Sequence, residues 1–242
     1  SKTGNAFAGW SDGTNTFSGG ATWTVPASDS NFTLTALWNT QTLTYSYQLN
    51  GGTSTQPAPG TATYNTSITL PTAPTRTGFT FAGWNDGSPI SLDTRSVALT
   101  SNKIFIAQWT AQSFEISYDG NGQDSGSSIT AGSFIAGGVP YTVVANTFVK
   151  TGHVFTGWNT AANGSGASYV VGSGYSNAAN IKLFAQWTPA SYTITYNANG
   201  ATSGTAPSAG TLTTGTAFTA ATNSGSLAKT GYVFDGWNTS AA

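Results

Sequence analysis

Four stretches decide how this chain is read: Thr-Gly-Asn-Ala-Phe-Ala-Gly-Trp at 3–10, Thr-Gly-Phe-Thr-Phe-Ala-Gly-Trp at 77–84, Thr-Gly-His-Val-Phe-Thr-Gly-Trp at 151–158 and Thr-Gly-Tyr-Val-Phe-Asp-Gly-Trp at 230–237. Their tryptophans, Trp10, Trp84, Trp158 and Trp237, lie 74, 74 and 79 residues apart. A fixed period of this size marks tandem copies of one small unit, each copy a supersecondary element of its own. Thr-Gly opens each motif with a turn, and the Phe and Trp are large apolar anchors. The Gly between them leaves room for a close approach of backbone or ring.

Phe and Trp stand three apart, so strict strand alternation would put their rings on opposite faces. A bulge at Gly83, Gly157 and Gly236 brings both rings back to one face, and that is the geometry expected here. Working outward, three further markers recur in fixed order. Strand one alternates apolar and polar residues into a turn: Leu43, Tyr45 and Tyr47 before Asn50-Gly51, Phe114, Ile116 and Tyr118 before Asn121-Gly122, and Tyr192, Ile194 and Tyr196 before Asn199-Gly200. Period two gives a strand with one buried face, and Asn-Gly accepts the positive φ of a tight reversal. A second, shorter strand is expected at 68–70, 141–144 and 218–221, before the Gly-Trp motif as strand three. The closing strand reads Leu-Thr-Ala-Leu-Trp at 34–38, Phe-Ile-Ala-Gln-Trp at 105–109 and Leu-Phe-Ala-Gln-Trp at 183–187, with large residue, Ala and Trp on one face. No segment carries a helical period beyond a turn or two. The fold class is therefore mainly β, an array of small modules. Its candidate core is Phe7, Trp10, Trp38, Tyr47, Phe81, Trp84, Phe105, Trp109, Tyr118, Phe155, Trp158, Leu183, Trp187, Tyr196, Phe234 and Trp237.

The markers set the boundaries. Complete repeats span 41–110 and 111–188. Residues 1–40 are a partial repeat without strands one and two, and residues 189–242 are one without a closing strand. This pattern is expected of a stretch cut from a longer array, ahead of a subunit whose open halves neighbours complete. Exchange between halves would duplicate strand three.

Composition narrows the function. Charged residues are 6% of the 242, against about 25% in ordinary domains. Aromatics at 13% supply the burial that a folded chain needs. The net charge is −1 with seven scattered basic residues, so no patch matches a run of phosphates or an anionic bilayer. Nucleic acid and membrane insertion are excluded as expectations for this segment. There is no Cys and no Met, which removes disulfides and thiolate metal sites and suits a life outside the cell.

The stretches Thr-Gly-Tyr-Val-Phe-Asp-Gly-Trp-Asn-Thr at 230–239, Asn-Gly-Ser-Gly-Ala-Ser-Tyr at 163–169, Leu-Phe-Ala-Gln-Trp at 183–187 and Tyr-Thr-Ile-Thr-Tyr-Asn-Ala-Asn-Gly at 192–200 resemble the Listeria-Bacteroides repeat, the internalin-type B repeat. The resemblance covers essentially the whole chain. It implies a β-grasp-like module with little or no helix, found in tandem on large bacterial surface proteins as stalk or spacer and at times in adhesion. Asn5-Ala6 before Phe7, the short loop at Ser11-Asp12-Gly13 and Pro89-Ile90 depart from the pattern and bear on loop conformation.

No chemistry competes with this reading. His153, the sole histidine, holds a position that is Asn5, Phe79 and Tyr232 in the other copies, so it reads as a surface strand residue. Asp119-Gly-Asn-Gly-Gln-Asp124 spaces oxygens like the start of a calcium loop. Thr130 stands where the closing Glu belongs, however, and a turn is the reading. Glu115, the only Glu, sits on the polar parity of strand one, which argues against a Lys-to-Asn cross-link there. The expectation is no enzyme, no cofactor and no metal. Trp23 lies between markers without a counterpart in the complete repeats and is the candidate ligand contact. Asn31, Asn65, Asn163 and Asn238 begin Asn-x-Ser/Thr triplets, as chance allows in so polar a chain. The expected role is a structural segment of an extracellular bacterial surface protein or fibre, partnered by neighbouring repeats or other copies and able to join laterally into filaments. The alternative is an adhesin module binding host or cell-wall glycans through exposed aromatics.

Overall fold

The computed structural model describes residues 1–24, 31–88 and 96–240; Pro89-Ile90 and Ala242 lie outside them. Among the described residues there are twenty strands and no helix. The chain forms two compact units: Ser1–Ser113 with Ile135–Gly137, and Phe114–Phe134 with Gly138–Ala242.

The first unit opens with β1 (Asn5–Ser11), β2 (Thr16–Phe17) and β3 (Thr35–Thr40), joined in the order β2-β1-β3. Then come β4 (Thr42–Gln48), β5 (Gly60–Thr63), β6 (Ser67–Thr69), β7 (Phe79–Asn85), β8 (Ser96–Ala98) and β9 (Lys103–Ala111). Four of these make a sheet in the order β5-β4-β9-β7, and β6 pairs with β8 as a separate ribbon. The central pair β4 and β9 is parallel, with Tyr47 opposite Phe105; the outer pairs are antiparallel. Strand one is legible in β4, where Leu43 and Tyr47 turn inward and Thr42, Thr44 and Gln48 face out. Its Asn50 and Gly51 turn with φ of 49° and 86°.

The second complete repeat contributes β10 (Ser113–Asp119), β11 (Ser125–Gly126), β12 (Gly132–Ile135), β13 (Tyr141–Thr142), β14 (Phe148–Val149), β15 (His153–Asn159), β16 (Ser168–Tyr169), β17 (Gly174–Tyr175) and β18 (Ile181–Pro189). Its sheet runs β12-β10-β18-β15-β16, again with a parallel centre, Tyr118 opposite Leu183. The chain continues as β19 (Ser191–Ile194) and β20 (Gly210–Thr213), an antiparallel pair.

Each complete repeat has an interior of its own. Leu43, Tyr47, Ile68, Leu70, Trp84, Leu99, Phe105 and Ala107 form one buried cluster, and Ile116, Phe134, Val143, Phe148, Trp158, Tyr175, Leu183 and Ala185 form the other. Burying a large side chain contributes roughly 1.5–3 kcal/mol. The two tryptophans and their neighbours are therefore the main stabilising groups.

One element was not expected, and one expected strand is absent: β6 and β13 fall where the second strand is expected, but 218–221 is not a strand. The strand beside strand one is β5, β12 or β20; β5 and β20 are Gly-Thr-Ala-Thr and Gly-Thr-Leu-Thr, whose small residues give little apolar signal, whereas β12 is Gly-Ser-Phe-Ile with Phe134 buried. The second strand is not in that sheet: β6 and β13 pair with β8 and β17 in two-stranded ribbons, and residues 218–221 form no strand, having no ribbon partner among the described residues.

Candidate functional site

The feature that repeats is an aromatic kernel set on strand three. In β7 the pairing with β9 slips between Phe81 and Gly83, leaving Ala82 unpaired, and in β15 it slips between Phe155 and Gly157, leaving Thr156 unpaired. Gly83 and Gly157 take φ of 120° and 148°, a region in which a side chain would be strained. The slip puts both rings on one face: Phe81 and Trp84 meet edge-on at 5.3 to 5.7 Å in a set with Tyr47 and Trp109, and Phe155 lies 5.0 Å from Trp158. A matching slip between Phe7 and Gly9 occurs in the first partial repeat. Gly236 has φ of 132° and Phe234 lies 5.3 Å from Trp237, although 230–237 joins no ladder.

Among the described residues, five of the eight indole N–H groups donate to a backbone carbonyl. Trp84 donates to Pro71 O (3.2 Å), Trp158 to Val144 O (3.1 Å) and Trp237 to Ala221 O (2.7 Å). On the closing strands Trp109 donates to Leu49 O (3.0 Å) and Trp187 to Gly120 O (2.9 Å), tying them to the end of strand one. The same strand ends are held from the other side: Asn50 Nδ2 donates to Ala107 O (3.1 Å) and Asn121 Nδ2 to Ala185 O (2.8 Å). Thus Asn50 and Asn121 supply a side-chain clamp as well as a positive φ. Asn102 and Asn180 likewise accept from the Thr44 and Glu115 backbone N–H groups at 2.9 Å. These roles escaped the sequence reading; the recurrence of Asn at matched positions was the available signal.

Among the candidate core residues, Trp84, Trp158, Phe105 and Leu183 are fully buried and Tyr47 nearly so. Phe81, Trp109, Tyr118, Phe155, Trp187, Trp38, Tyr196 and Trp237 are half-buried. Phe7, Trp10 and Phe234 depart from the expectation of a core: they are 44%, 39% and 41% exposed, and among the described residues neither 1–40 nor 189–242 has the parallel strand pair that centres the sheets of 41–110 and 111–188.

The chemical candidates are placed as follows. Trp23 is half-buried, stacked on Phe32 at 3.8 Å and meeting Phe17 edge-on at 5.5 Å. His153 begins β15, with Nδ1 2.9 Å from Thr151 O. Asp119 is paired with Lys182 (2.7 Å) and accepts from Asn121 N–H, and Asp124 accepts from Thr151 N–H; both carboxyls are held below the ordinary range, Asp119 chiefly by Lys182 and Asp124 by Thr151. Glu115 is exposed on β10. Among the described residues no group of three or more His, Asp or Glu could hold a metal. Asp86 is the most perturbed acid, lowered to about 2 by a 2.9 Å pair with Lys103.

A second recurring feature is the joint between repeats. Gln41 alone separates β3 from β4, and Ala190 alone separates β18 from β19. Gln41 N–H donates to Gly4 O (2.9 Å) and its carbonyl accepts from Tyr64 N–H (2.8 Å). Ala190 donates to Gly152 O (2.7 Å) and accepts from Thr214 N–H (2.9 Å). The Thr-Gly of the motif therefore serves the joint. Gly4 and Gly152 have φ of 70° and 68°, and a Cβ on either would overlap Tyr64 or Thr214.

Comparison with known proteins agrees with this pattern. The Listeria-Bacteroides repeat domain matches residues 42–108, 114–186 and 192–242. A "Putative membrane protein" of Evansella cellulosilytica is 30% identical over 218 residues, 86% of this chain and 30% of its own length. A "Putative Gly-rich membrane protein" of the same organism is 33% identical over 135 residues, 52% of this chain and 16% of its own length. Internalin H of Listeria monocytogenes is 33% identical over 128 residues, 51% of this chain and 22% of its own length. The chain thus spans less than a third of each of these relatives. With three successive matches of the repeat across one module after another, the chain belongs to the Listeria-Bacteroides repeat family.

Proposed function

We propose that this chain is a structural tandem-repeat segment of a bacterial cell-surface protein, a non-enzymatic stalk or spacer whose reach is set by the number of repeats. The observation that carries the reading is the joint: one residue links successive repeats, and both its N–H and its carbonyl are tied, one to the repeat before and one to the repeat after. Such a joint has no free linker, and a repeat that holds its own core adds length without needing distant partners. The sheet order with a parallel central pair supports a β-grasp-like module. Relatives with "membrane protein" in their names, and an internalin, support a place at the cell envelope with this segment outside it.

Its partners in this reading are adjoining repeats and other copies, which could pair along uncovered strand edges into filaments, since few charges guard them. The adhesin alternative rests on Trp23, whose half-exposed indole stacked on Phe32 resembles a platform for a sugar ring. Proteins built with two, four and six copies of residues 111–188 test the stalk by small-angle scattering. Maximum dimension rising by a constant step per copy is expected; a dimension that levels off overturns it. Specific binding on a glycan array, abolished by Trp23→Ala, would favour the adhesin instead.

A further inference from the structure

In each complete repeat, the strand by which the chain enters lies beside the strand by which it leaves. β4 follows Gln41 directly and β9 runs up to Gln112; β10 follows Gln112 directly and β18 runs up to Ala190. Within each repeat the two are hydrogen-bonded neighbours and parallel. We infer that this pair is a tension clamp, which makes each complete repeat a force-bearing element that resists being pulled apart end to end. The inference rests on the reading of the chain as a stalk and gives that stalk a mechanical task.

Parallel pairing fixes how tension acts. Two parallel neighbours start at one end and finish at the other, so a pull on the start of β4 and the finish of β9 slides one strand along the other. The bonds between them cross the direction of sliding and carry the force together. An antiparallel hairpin pulled at its two adjacent ends opens bond by bond, because the force falls on one bond at a time.

The surroundings of the pair reinforce it. Both strands are interior: β4 lies between β5 and β9, and β9 between β4 and β7. In the other repeat β10 lies between β12 and β18, and β18 between β10 and β15. Withdrawing either strand along its axis therefore shears two ladders at once.

Side chains lengthen the pairing at both ends. The backbone ladder runs from Tyr45 opposite Lys103 to Gln48 opposite Ile106. Before it, Asn102 accepts from Thr44 N–H; beyond it, Asn50 donates to Ala107 O and Trp109 to Leu49 O. The other repeat makes the same three bonds through Asn180, Asn121 and Trp187, and adds the Lys182–Asp119 ion pair between the same two strands. The inner side is dry. Phe105, Ala107, Leu183 and Ala185 are fully buried, and Tyr47 stacks on Phe105 at 5.7 Å, which keeps water from replacing the bonds as they stretch. With one residue between β9 and β10, tension passes from one clamp to the next strand without a slack linker.

The test is single-molecule force spectroscopy on the whole 242-residue chain, attached through introduced cysteines that are unique because the chain has none of its own. Gln41→Cys with Gln112→Cys pulls the first complete repeat through its clamp. Thr77→Cys with Gln112→Cys pulls at adjacent ends of the antiparallel β7 and β9, where Gln112 N–H bonds Gly78 O. All three positions are exposed, so both variants should keep the circular dichroism of the parent. A rupture force at least about twofold higher along 41–112 than along 77–112 is expected, in one step releasing at most about 3.6 Å per residue between the attachment points. Asn102→Ala should lower the force along 41–112 and leave that along 77–112 as it was; an equal fall in both overturns the place of Asn102 in the clamp. Equal forces in the two directions, or a lower force along 41–112, overturn the inference. They leave the stalk standing if maximum dimension still rises with copy number, whereas a dimension that levels off removes the stalk whatever the forces.

Discussion

The repeats 111–188 and 189–242 carry the same Thr-Gly-x-x-Phe-x-Gly-Trp motif, and each can be compared with the other as it stands. In both, Phe and Trp meet edge-on, Tyr closes on Trp within 5 Å, the indole donates to a carbonyl of the second segment and the Gly has a positive φ. In the first, Trp158 is fully buried and β15 sits in a ladder; in the second, Val233 is 92% exposed and 230–237 joins no strand ladder among the described residues, with only an isolated bridge between Lys229 and Tyr232. The motif therefore shapes its own aromatic kernel locally. Strand structure comes with the closing strand, which brings its own backbone donors and acceptors, and burial needs more: β1 is paired with β3, yet Trp10 is 39% exposed.

That contrast should be largest at the tryptophans. Trp158→Ala empties a fully packed interior and should cost about 3–5 kcal/mol, whereas Trp237→Ala should cost under about 2. Hydrogen exchange resolved by segment measures both, and equal losses would break the comparison. Next comes the residue after each Trp. Asn159 is fully buried and bonds Gly164 O, Gly166 O, Ser168 Oγ and the Ala161 and Gly166 N–H groups, so it knits the 159–168 loop. Asn159→Ala strands several of these and should cost about 2–3 kcal/mol. Asn238, with one 3.3 Å contact from Ser240 N–H among the described residues, should cost a few tenths.

Acid sharpens the picture in the other complete repeat. Asp86 has its folded pKa lowered from 3.8 to about 2, so its contribution is present above pH 3.8 and is lost as pH falls toward 2. With the Asp86 carboxylate largely covered and Lys103 partly so, a loss of about 1–2 kcal/mol is expected in the exchange of residues 79–111. Lys103→Met should flatten that pH dependence. The smallest effect is at the joint. Ala190→Pro removes the N–H donated to Gly152 O and should cost about 1 kcal/mol, read as faster exchange at Thr214. Unchanged exchange would mean that the N–H bond to Gly152 O adds nothing to the joint beyond the Thr214 bond to the residue-190 carbonyl.

Much of this was legible beforehand because it is written in side-chain order. Alternation put Leu43, Tyr47, Ala107 and Ala185 on inner faces, and the three-residue gap between Phe81 and Trp84 required the bulge that the Phe81–Gly83 slip shows. What was missed has a common cause. β5 and β20 are Gly-Thr strands with no apolar rhythm, held by backbone bonds to a neighbour. The clamps of Asn50 and Asn121 reach carbonyls 57 and 64 residues away.

By itself, then, the sequence determined the repeat period, the faces of the strands, the bulged glycines and the rings that gather around each tryptophan, since all of these follow from the order of neighbouring side chains. Only the tertiary structure decided that the closing strand runs parallel to strand one, which small-residue strand lies beside it, how one residue is tied at each joint and which aromatics stay exposed. The physical reason is that peptide groups are alike in every residue: the choice of partner for a backbone N–H or carbonyl is settled by what distant chain arrives beside it.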